Sequence, residues 1–348
     1  MLVSNGHEVS LIDYAFLRSQ DMIVAPSIEE IIREFRPNVV AFSGFARRTP
    51  RSCCTIDSPE DLQGAANMTS LGHILQSICL PTYLNRKART YIAERKFRNI
   101  KRGEVDRCWC GGGLLPFKWH ANYRVCIECG TYVNWCPPLP EELKLLYSFD
   151  LYWHTRQQLK GFPVIEQRPA NDLSDGRVDY WLGLIERYRP STGLVVEVGC
   201  AHGVLLAELK ARGYKCIGVE PDEQTAEWAR KNIGLDVLPG LFPDVDLPKC
   251  DLFLAFDVIE HSPVPVAFMN GIAGLLNPGG VAIIQTPIDR YSSQPPFGEM
   301  LGLVFDDLEH LYIFTQTSLR RLSQTAGLLT MAEDRWHLAH EIVVLRKE

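Results

Sequence analysis

Val195-Val-Glu-Val-Gly-Cys-Ala-His-Gly-Val-Leu-Leu206 is the stretch on which this chain turns. The β-branched run before the first glycine reads as a short strand buried on both faces. Gly199 lets the backbone turn sharply and approach a ligand, because it has no Cβ. Gly203 lets the following helix pack closely on the strand. The next apolar run, Cys216-Ile-Gly-Val-Glu-Pro221, ends on Glu220, whose carboxylate is placed to accept hydrogen bonds from a ribose diol. The two segments predict a nucleoside-cofactor grip at the edge of an α/β sheet.

The spacing separates cofactor types. A dinucleotide site carries G-x-G-x-x-G, and its middle glycine admits a pyrophosphate. Here that position is Ala201. A cofactor without a phosphate needs less backbone clearance. E-x-G-x-x-x-G, with an acid about twenty residues further on, resembles motifs I and II of class I S-adenosylmethionine-dependent methyltransferases. The resemblance implies a doubly wound, seven-stranded, Rossmann-like α/β sheet whose last strand, Glu341–Leu345, is antiparallel. It implies cofactor contacts at Glu197, Gly199, Cys200, Ala201, Gly203, Glu220 and Pro221. It adds Gly240, Leu241 and Phe242 beside the adenine, and Phe256 and Asp257 at the end of the fourth strand. Asp172–Arg189 is expected to be the helix preceding the sheet, and Thr315 or Thr317 the cap of a late helix.

Phe256-Asp-Val-Ile-Glu-His261, and Glu309-His310 ahead of Tyr312 and Phe314, resemble the subfamily that methylates quinones, sugars and other small metabolites. The sulfonium methyl is already activated, so such an enzyme works by holding the nucleophile in line and excluding water. A hydroxyl acceptor also needs a base. His310 and His261 are the candidates, because histidine titrates near neutrality. Related quinone O-methyltransferases carry E-x-x-E-H and a divalent ion at this place. Asp257, Glu260 and His261 are therefore alternative Mg2+ ligands, with Asp257 standing where the first Glu belongs. The acceptor pocket is expected from Tyr152, Trp153 and the loop between Pro287 and Phe314, which carries Tyr291, Pro295, Pro296, Phe297 and Phe305. Long loops in compact domains are often lids; the alternative is that these rings only pack the lid down.

Cys108-Trp-Cys110-Gly and Cys126-Ile-Glu-Cys129-Gly resemble the two knuckles of a zinc ribbon, with Cys108, Cys110, Cys126 and Cys129 on one Zn2+. The first knuckle is one residue short, so Cys136 or His120 is a substitute ligand. Reduced cysteine turns without a metal are the plainer alternative.

The 348 residues predict about two domains. The expected divisions are a partial α/β segment over 1–50, a linker and basic helix over 51–107, the ribbon over 108–136 and the methyltransferase domain over 137–348. Residues 1–50 resemble one strand–helix–strand unit of a cobalamin-binding-type domain, without its D-x-H-x-x-G loop. The basic run 85–107 reads as a solvated helix face, with an anionic surface as the alternative partner. A net charge of −6 gives no general pull toward nucleic acid, and no N-P-P-Y-type motif follows the fourth strand, which disfavours base N-methylation. No run reaches the length of a membrane span, and the N-terminus lacks signal-peptide character. Eleven cysteines then imply reduced thiols in the cytoplasm. The rival to a small-molecule methyltransferase is a binding module whose core has lost turnover.

Overall fold

The computed structural model describes residues 2–4, 7–9, 100–188, 193–288, 304–336 and 340–348. The chain divides into two compact units, Met1–Pro81 and Thr82–Glu348. In the first unit, β1 (Leu2–Ser4) pairs antiparallel with β2 (His7–Val9). The rest of the 1–50 segment, the linker and the basic run up to Arg98 lie outside the described residues.

In the second unit, residues 100–107 are extended rather than helical. Arg102 bridges to Pro138, and its guanidinium is held by the Cys136 carbonyl and the Asp307 carboxylate. That basic residue is spent inside the fold, which corrects the reading of 85–107 as one solvated helix. Next come β3 (Leu114–Pro116), β4 (Tyr123–Cys126) and β5 (Tyr132–Asn134), an antiparallel meander. β11 (Tyr312–Ile313) adds to its edge, with Tyr312 opposite Val133. The ribbon is thus completed by a strand from far down the chain, and is not the self-contained segment 108–136.

Helix α1 (Pro140–Leu146) starts on a proline, whose missing N–H would have no partner at that position anyway. A continuous helical stretch follows from Phe149 to Leu159, with a π turn over Tyr152–Arg156. The single helix expected over Asp172–Arg189 is two, α2 (Arg168–Ser174) and α3 (Arg177–Tyr188). The break falls at Asp175, whose carboxylate accepts from the Arg177 N–H and restarts the helix.

The main sheet carries β6 (Leu194–Val198), β7 (Lys215–Glu220), β8 (Val237–Pro239), β9 (Cys250–Phe256), β10 (Leu276–Pro287), β12 (Leu329–Trp336) and β13 (His340–Arg346). Its order is β12-β13-β10-β9-β6-β7-β8. The five strands from β8 to β10 are parallel, and β13 runs antiparallel between β10 and β12. Strand order reverses at β6, with β7 on one side and β9 on the other, and ligands of open α/β sheets bind at such a switch point. Successive side chains alternate between faces. Val196, Val198, Phe253 and Ile284 pack with Phe268 and Ile272 of α6 (Pro265–Leu275), after α4 (Val204–Ala211) and α5 (Glu223–Ile233) in the chain. Val195, Leu252, Leu254 and Ile283 face the other way, onto Trp181, Ile185, Leu205 and Leu206. Each such buried side chain stabilises the fold by about 1.5–3 kcal/mol before entropy is charged. α7 (Gln316–Thr325) is capped by Thr315, which accepts from the Ser318 N–H. Among the described residues, no helix is long and apolar enough to cross a membrane.

Candidate active site

The turn after β6 is built from its glycines. Gly199 has φ +68°, and a Cβ there would stand 2.6 Å from Val258 Cγ2, beyond the end of β9. Gly203 has φ +77° and touches Leu235 so closely that a Cβ would collide with it. Both positions therefore require glycine. Between them, Ala201 holds a left-handed φ of +51° without being glycine, a strain kept only where surroundings enforce it. Its N–H donates to Glu220 Oε2 at 3.0 Å, and the Asp222 N–H donates to Oε1 at 3.2 Å. The Glu220 carboxylate is thus fixed across the turn.

Glu197 and Glu220 lie at the ends of adjacent strands, Glu197 buried and Glu220 half-buried. Burial lifts Glu220 to about 7, against the two backbone donors. Burial and the Glu220 charge lift Glu197 to about 8. Glu197 Oε2 has no hydrogen-bond partner. A buried carboxylate oxygen without a donor costs free energy, which a cationic or hydrogen-bonding ligand would recover. The pair therefore fits a cofactor that brings an ammonium, a sulfonium and a ribose diol.

The other predicted cofactor residues divide. Cys200 turns its thiol into the core, 2.6 Å from where a Gly218 Cβ would lie, so only its backbone faces the turn. Gly240 is tied to the pocket through its N–H on the Glu220 carbonyl, and Leu241 beside it is 55% exposed. The Phe242 ring is buried against Phe253 and Phe268. The aromatic side chain is consumed by the layer under α6, leaving Leu241 as the free apolar surface. Phe256 stacks on Trp181 at 4.3 Å. Asp257, with φ +57°, receives both oxygens' hydrogen bonds from Gln285 Nε2, and Trp181 donates to the other end of the same amide. Pro221 follows Glu220 and leads to Asp222, the cap of α5.

A second cluster sits beyond the end of β9. His261 Nδ1 lies 2.8 Å from the Glu309 carbonyl and 2.9 Å from the Tyr147 hydroxyl. His310 Nδ1 lies 2.7 Å from the Val304 carbonyl. A carbonyl only accepts, so each imidazole carries its proton on Nδ1 and presents a bare Nε2. The rings are 5.0 Å apart. Burial lowers both histidines, and the neighbouring His261 lowers His310 further, to about 4. Both are neutral at pH 7, the form a base requires. Glu260 is wholly buried beside them. One ligand atom each of Glu260, His261 and His310 lies within 4.8 Å of the others. Asp257 is not in the group, which corrects the Mg2+ set Asp257, Glu260 and His261. The donor set also does not fit Mg2+, which takes oxygen ligands and keeps its waters.

The predicted acceptor residues part company. Tyr152 leans on Tyr147, 5.4 Å between rings, and Tyr147 leads to His261. Trp153 is buried and donates to Thr225 Oγ1 at the start of α5, on the Glu220 side. Phe305 is buried in a ring cluster with Phe117, Tyr123 and Tyr132. It pins the loop to the aromatic face of the ribbon. Tyr291 lies outside the described residues.

Two further features were not foreseen from the sequence. Arg156, 2% exposed, donates to Glu309 and to both Asp306 oxygens at 2.9 Å, and Lys160 joins at 2.6 Å to Asp306 and 3.1 Å to Glu309. Burial pushes Glu309 up, but Arg156 and Lys160 outweigh it and hold the carboxyl at about 2. His202, between the two turn glycines, is held 3.0 Å from Asp172 through Nε2 while Nδ1 accepts from the Val204 N–H. A histidine inside the glycine motif was the available signal.

In the ribbon, Cys108 Sγ is 3.6 Å from Cys129 Sγ, and Cys110 Sγ is 3.5 Å from Cys126 Sγ. All four sulfurs lie within 4.8 Å of one another. Four thiolates at about 2.3 Å from a tetrahedral Zn2+ stand about 3.8 Å apart. The four cysteines therefore fit the ion, and neither Cys136 nor His120 belongs to the group. The ribbon reaches the second cluster directly. Tyr123 Oη donates to the His310 carbonyl at 2.7 Å, and the Asn134 N–H donates to the Leu311 carbonyl.

A reversed strand order at β6 and an antiparallel β13 give the sheet the Rossmann-like form of the class I S-adenosylmethionine-dependent methyltransferases. Residues 173–332 match the family described as a methyltransferase domain. A curated relative, the ubiquinone biosynthesis O-methyltransferase of Alkalilimnicola ehrlichii, is 28% identical over 139 residues, 36% of this chain and 53% of that protein. This chain spans about half the length of the first curated relatives it matches. Among solved structures, magnesium protoporphyrin IX methyltransferase from Synechocystis, with bound SAH, aligns at 14% identity and a TM-score of 0.41, covering 52% of this chain and 84% of that one. An amino pentose methyltransferase from Micromonospora echinaspora aligns at 16% identity and a TM-score of 0.40, covering 49% and 90%.

Proposed function

We propose that this chain transfers a methyl group from S-adenosylmethionine to a hydroxyl of a small, ring-bearing acceptor. The observation that carries the reading is the pair of Glu197 and Glu220 at the strand ends, Glu197 buried with one oxygen lacking a donor. Glu220 would hold the ribose diol and Glu197 the cationic amino-acid end, with Leu241 against the adenine. Bound there, the cofactor supplies an activated sulfonium methyl. The acceptor proton would go to a bare Nε2, of His310 or His261. Since His310 is a weak base, an acidic hydroxyl such as a phenol suits it best. The O-methyltransferase named among the relatives supports that acceptor class. Tyr147 and Tyr152 would close the site against water. In the ribbon, Zn2+ on Cys108, Cys110, Cys126 and Cys129 would be structural.

The test is methyl transfer from labelled S-adenosylmethionine to fractions of a cell extract, with mass spectrometry of a deletion strain seeking a species lighter by one methyl. Transfer to a phenolic metabolite is expected. A protein that binds the cofactor and labels no fraction would instead be a binding module.

A further inference from the structure

We infer that the helical stretch 149–159 couples the two ends of the site, and that Trp153 and His202 are positioning residues through which it grips the turn around Glu220. The identity of the ligand at Glu220 rests on the methyltransferase reading. Glu220 is held by two backbone donors, Ala201 and Asp222, and a chain of side chains ties each of them to the stretch. On the Asp222 side, Trp153 Nε1 donates to Thr225 Oγ1 at 3.0 Å, and that hydroxyl donates on to the Asp222 carboxylate at 2.8 Å. On the Ala201 side the next residue is His202. Its Nδ1 accepts the Val204 N–H, so Nε2 carries the proton and donates to Asp172 at 3.0 Å. Arg168 then links the other Asp172 oxygen, at 2.7 Å, to Gln157 of the stretch, at 3.0 Å. Trp153, Gln157, Asp172, His202 and Thr225 are all buried, where hydrogen bonds compete little with water. The pin on His202 also accounts for the left-handed φ of +51° at Ala201, a strain that needs surroundings to enforce it.

The same stretch reaches the acceptor end. Arg156, between Trp153 and Gln157 in the chain, holds Glu309 and Asp306. The Glu309 carbonyl accepts from His261 Nδ1. Tyr152 leans on Tyr147, whose hydroxyl lies 2.9 Å from that same nitrogen. Burial raises the Tyr152 hydroxyl, and the charges of Glu309 and Glu220 raise it further, so this ring stands between the two ends. The π turn Tyr152–Arg156 falls at these contacts, and such turns collect at functional sites. A helix gripped at both ends carries order from one to the other: the ligand that immobilises the Glu220 turn meets part of the entropy of fixing the second end. The cofactor therefore firms the seat of His261 and Glu309–His310 before the acceptor arrives.

The experiment follows amide hydrogen exchange of the purified full chain with and without saturating S-adenosylhomocysteine, whose affinity is measured by calorimetry. In the wild type, binding should slow exchange at residues 199–204 and 220–222, and also at 152–156 and 306–311, which contain no proposed cofactor contact. Two variants cut the chains. His202→Asn keeps an oxygen for the Val204 N–H but is too short to reach Asp172. Trp153→Phe keeps an aromatic ring and loses the N–H. Each should weaken S-adenosylhomocysteine about 3–10-fold, the scale of one hydrogen bond. At saturation each variant should still be protected at the turn, which shows that it folds, while most of the added protection at 306–311 is lost. Protection confined to the turn in the wild type overturns the inference, as does remote protection that both variants keep in full. Failure of the wild type to bind S-adenosylhomocysteine would sink the methyltransferase reading and this inference with it; binding without the remote protection sinks this inference alone.

Discussion

The two ends of the site are built differently. The proposed cofactor end is local: Glu197, the Gly199–Gly203 turn and Glu220 belong to one β6–α4–β7 unit, and the hydrogen bonds that fix Glu220 come from Ala201, 19 residues before it, and Asp222, two residues after it. The acceptor end is remote. Tyr147, Arg156, Glu260, His261 and Glu309–His310 come from four separate segments, held by an ion cluster and by a sheet strand shared with the ribbon. A motif can encode the first. Only tertiary structure assembles the second, and that is where specificity between acceptors would change.

The comparison predicts which substitutions damage which end. Arg156→Ala should destabilise the fold by about 3–5 kcal/mol, because it leaves Asp306 and Glu309 buried without their main partner. Chemical unfolding should show this, and a loss below about 1 kcal/mol would mean the cluster is not holding the acceptor end. The same cluster sets an acid limit. Glu309 is depressed to about 2, so its contribution is present above the ordinary carboxylate range and is lost as pH falls from about 4 toward 2. An unfolding midpoint that does not fall over that window would contradict the pairing.

Gly203→Ala should cost about 1–3 kcal/mol at the cofactor end, through its positive φ and the Leu235 contact. Cofactor affinity should fall with it while the acid limit set by Arg156 and Glu309 stays where it is. Equal losses at both ends would dissolve the distinction between them.

The smallest effect is in pH. Glu220 and Glu197 are raised to about 7 and about 8, so part of each is protonated at neutrality. A cationic cofactor favours the ionised forms and expels protons. Affinity should therefore rise between pH 6 and 8, by at most about tenfold per unit for each group, and flatten above. Calorimetry in two buffers of different ionisation enthalpy should report proton release; proton uptake would contradict the placement of Glu197.

Legibility followed the same division. Glu197, Gly199, Gly203 and Glu220 were readable because strand, turn and helix signals recur at fixed spacing. The seven-stranded order and the antiparallel β13 followed from the same resemblance. Phe242 and Phe305 were ambiguous, because an aromatic residue near a site reads the same whether it faces ligand or core. Each was claimed by a ring cluster that no local pattern announces. Asp257 stands in the expected register for a metal, but both its carboxylate oxygens accept from Gln285 Nε2. His310, about fifty residues from His261, comes within 5.0 Å of its ring because β11 docks on the ribbon.

The central claim is that the β6–β7 acids form a pocket for S-adenosylmethionine. Titration of the cofactor into wild type and Glu220→Ala by calorimetry tests it most directly. The account predicts binding by the wild type and a loss of at least about 100-fold in the variant, the scale of two hydrogen bonds to a charged group. Equal affinity in the two proteins would contradict it.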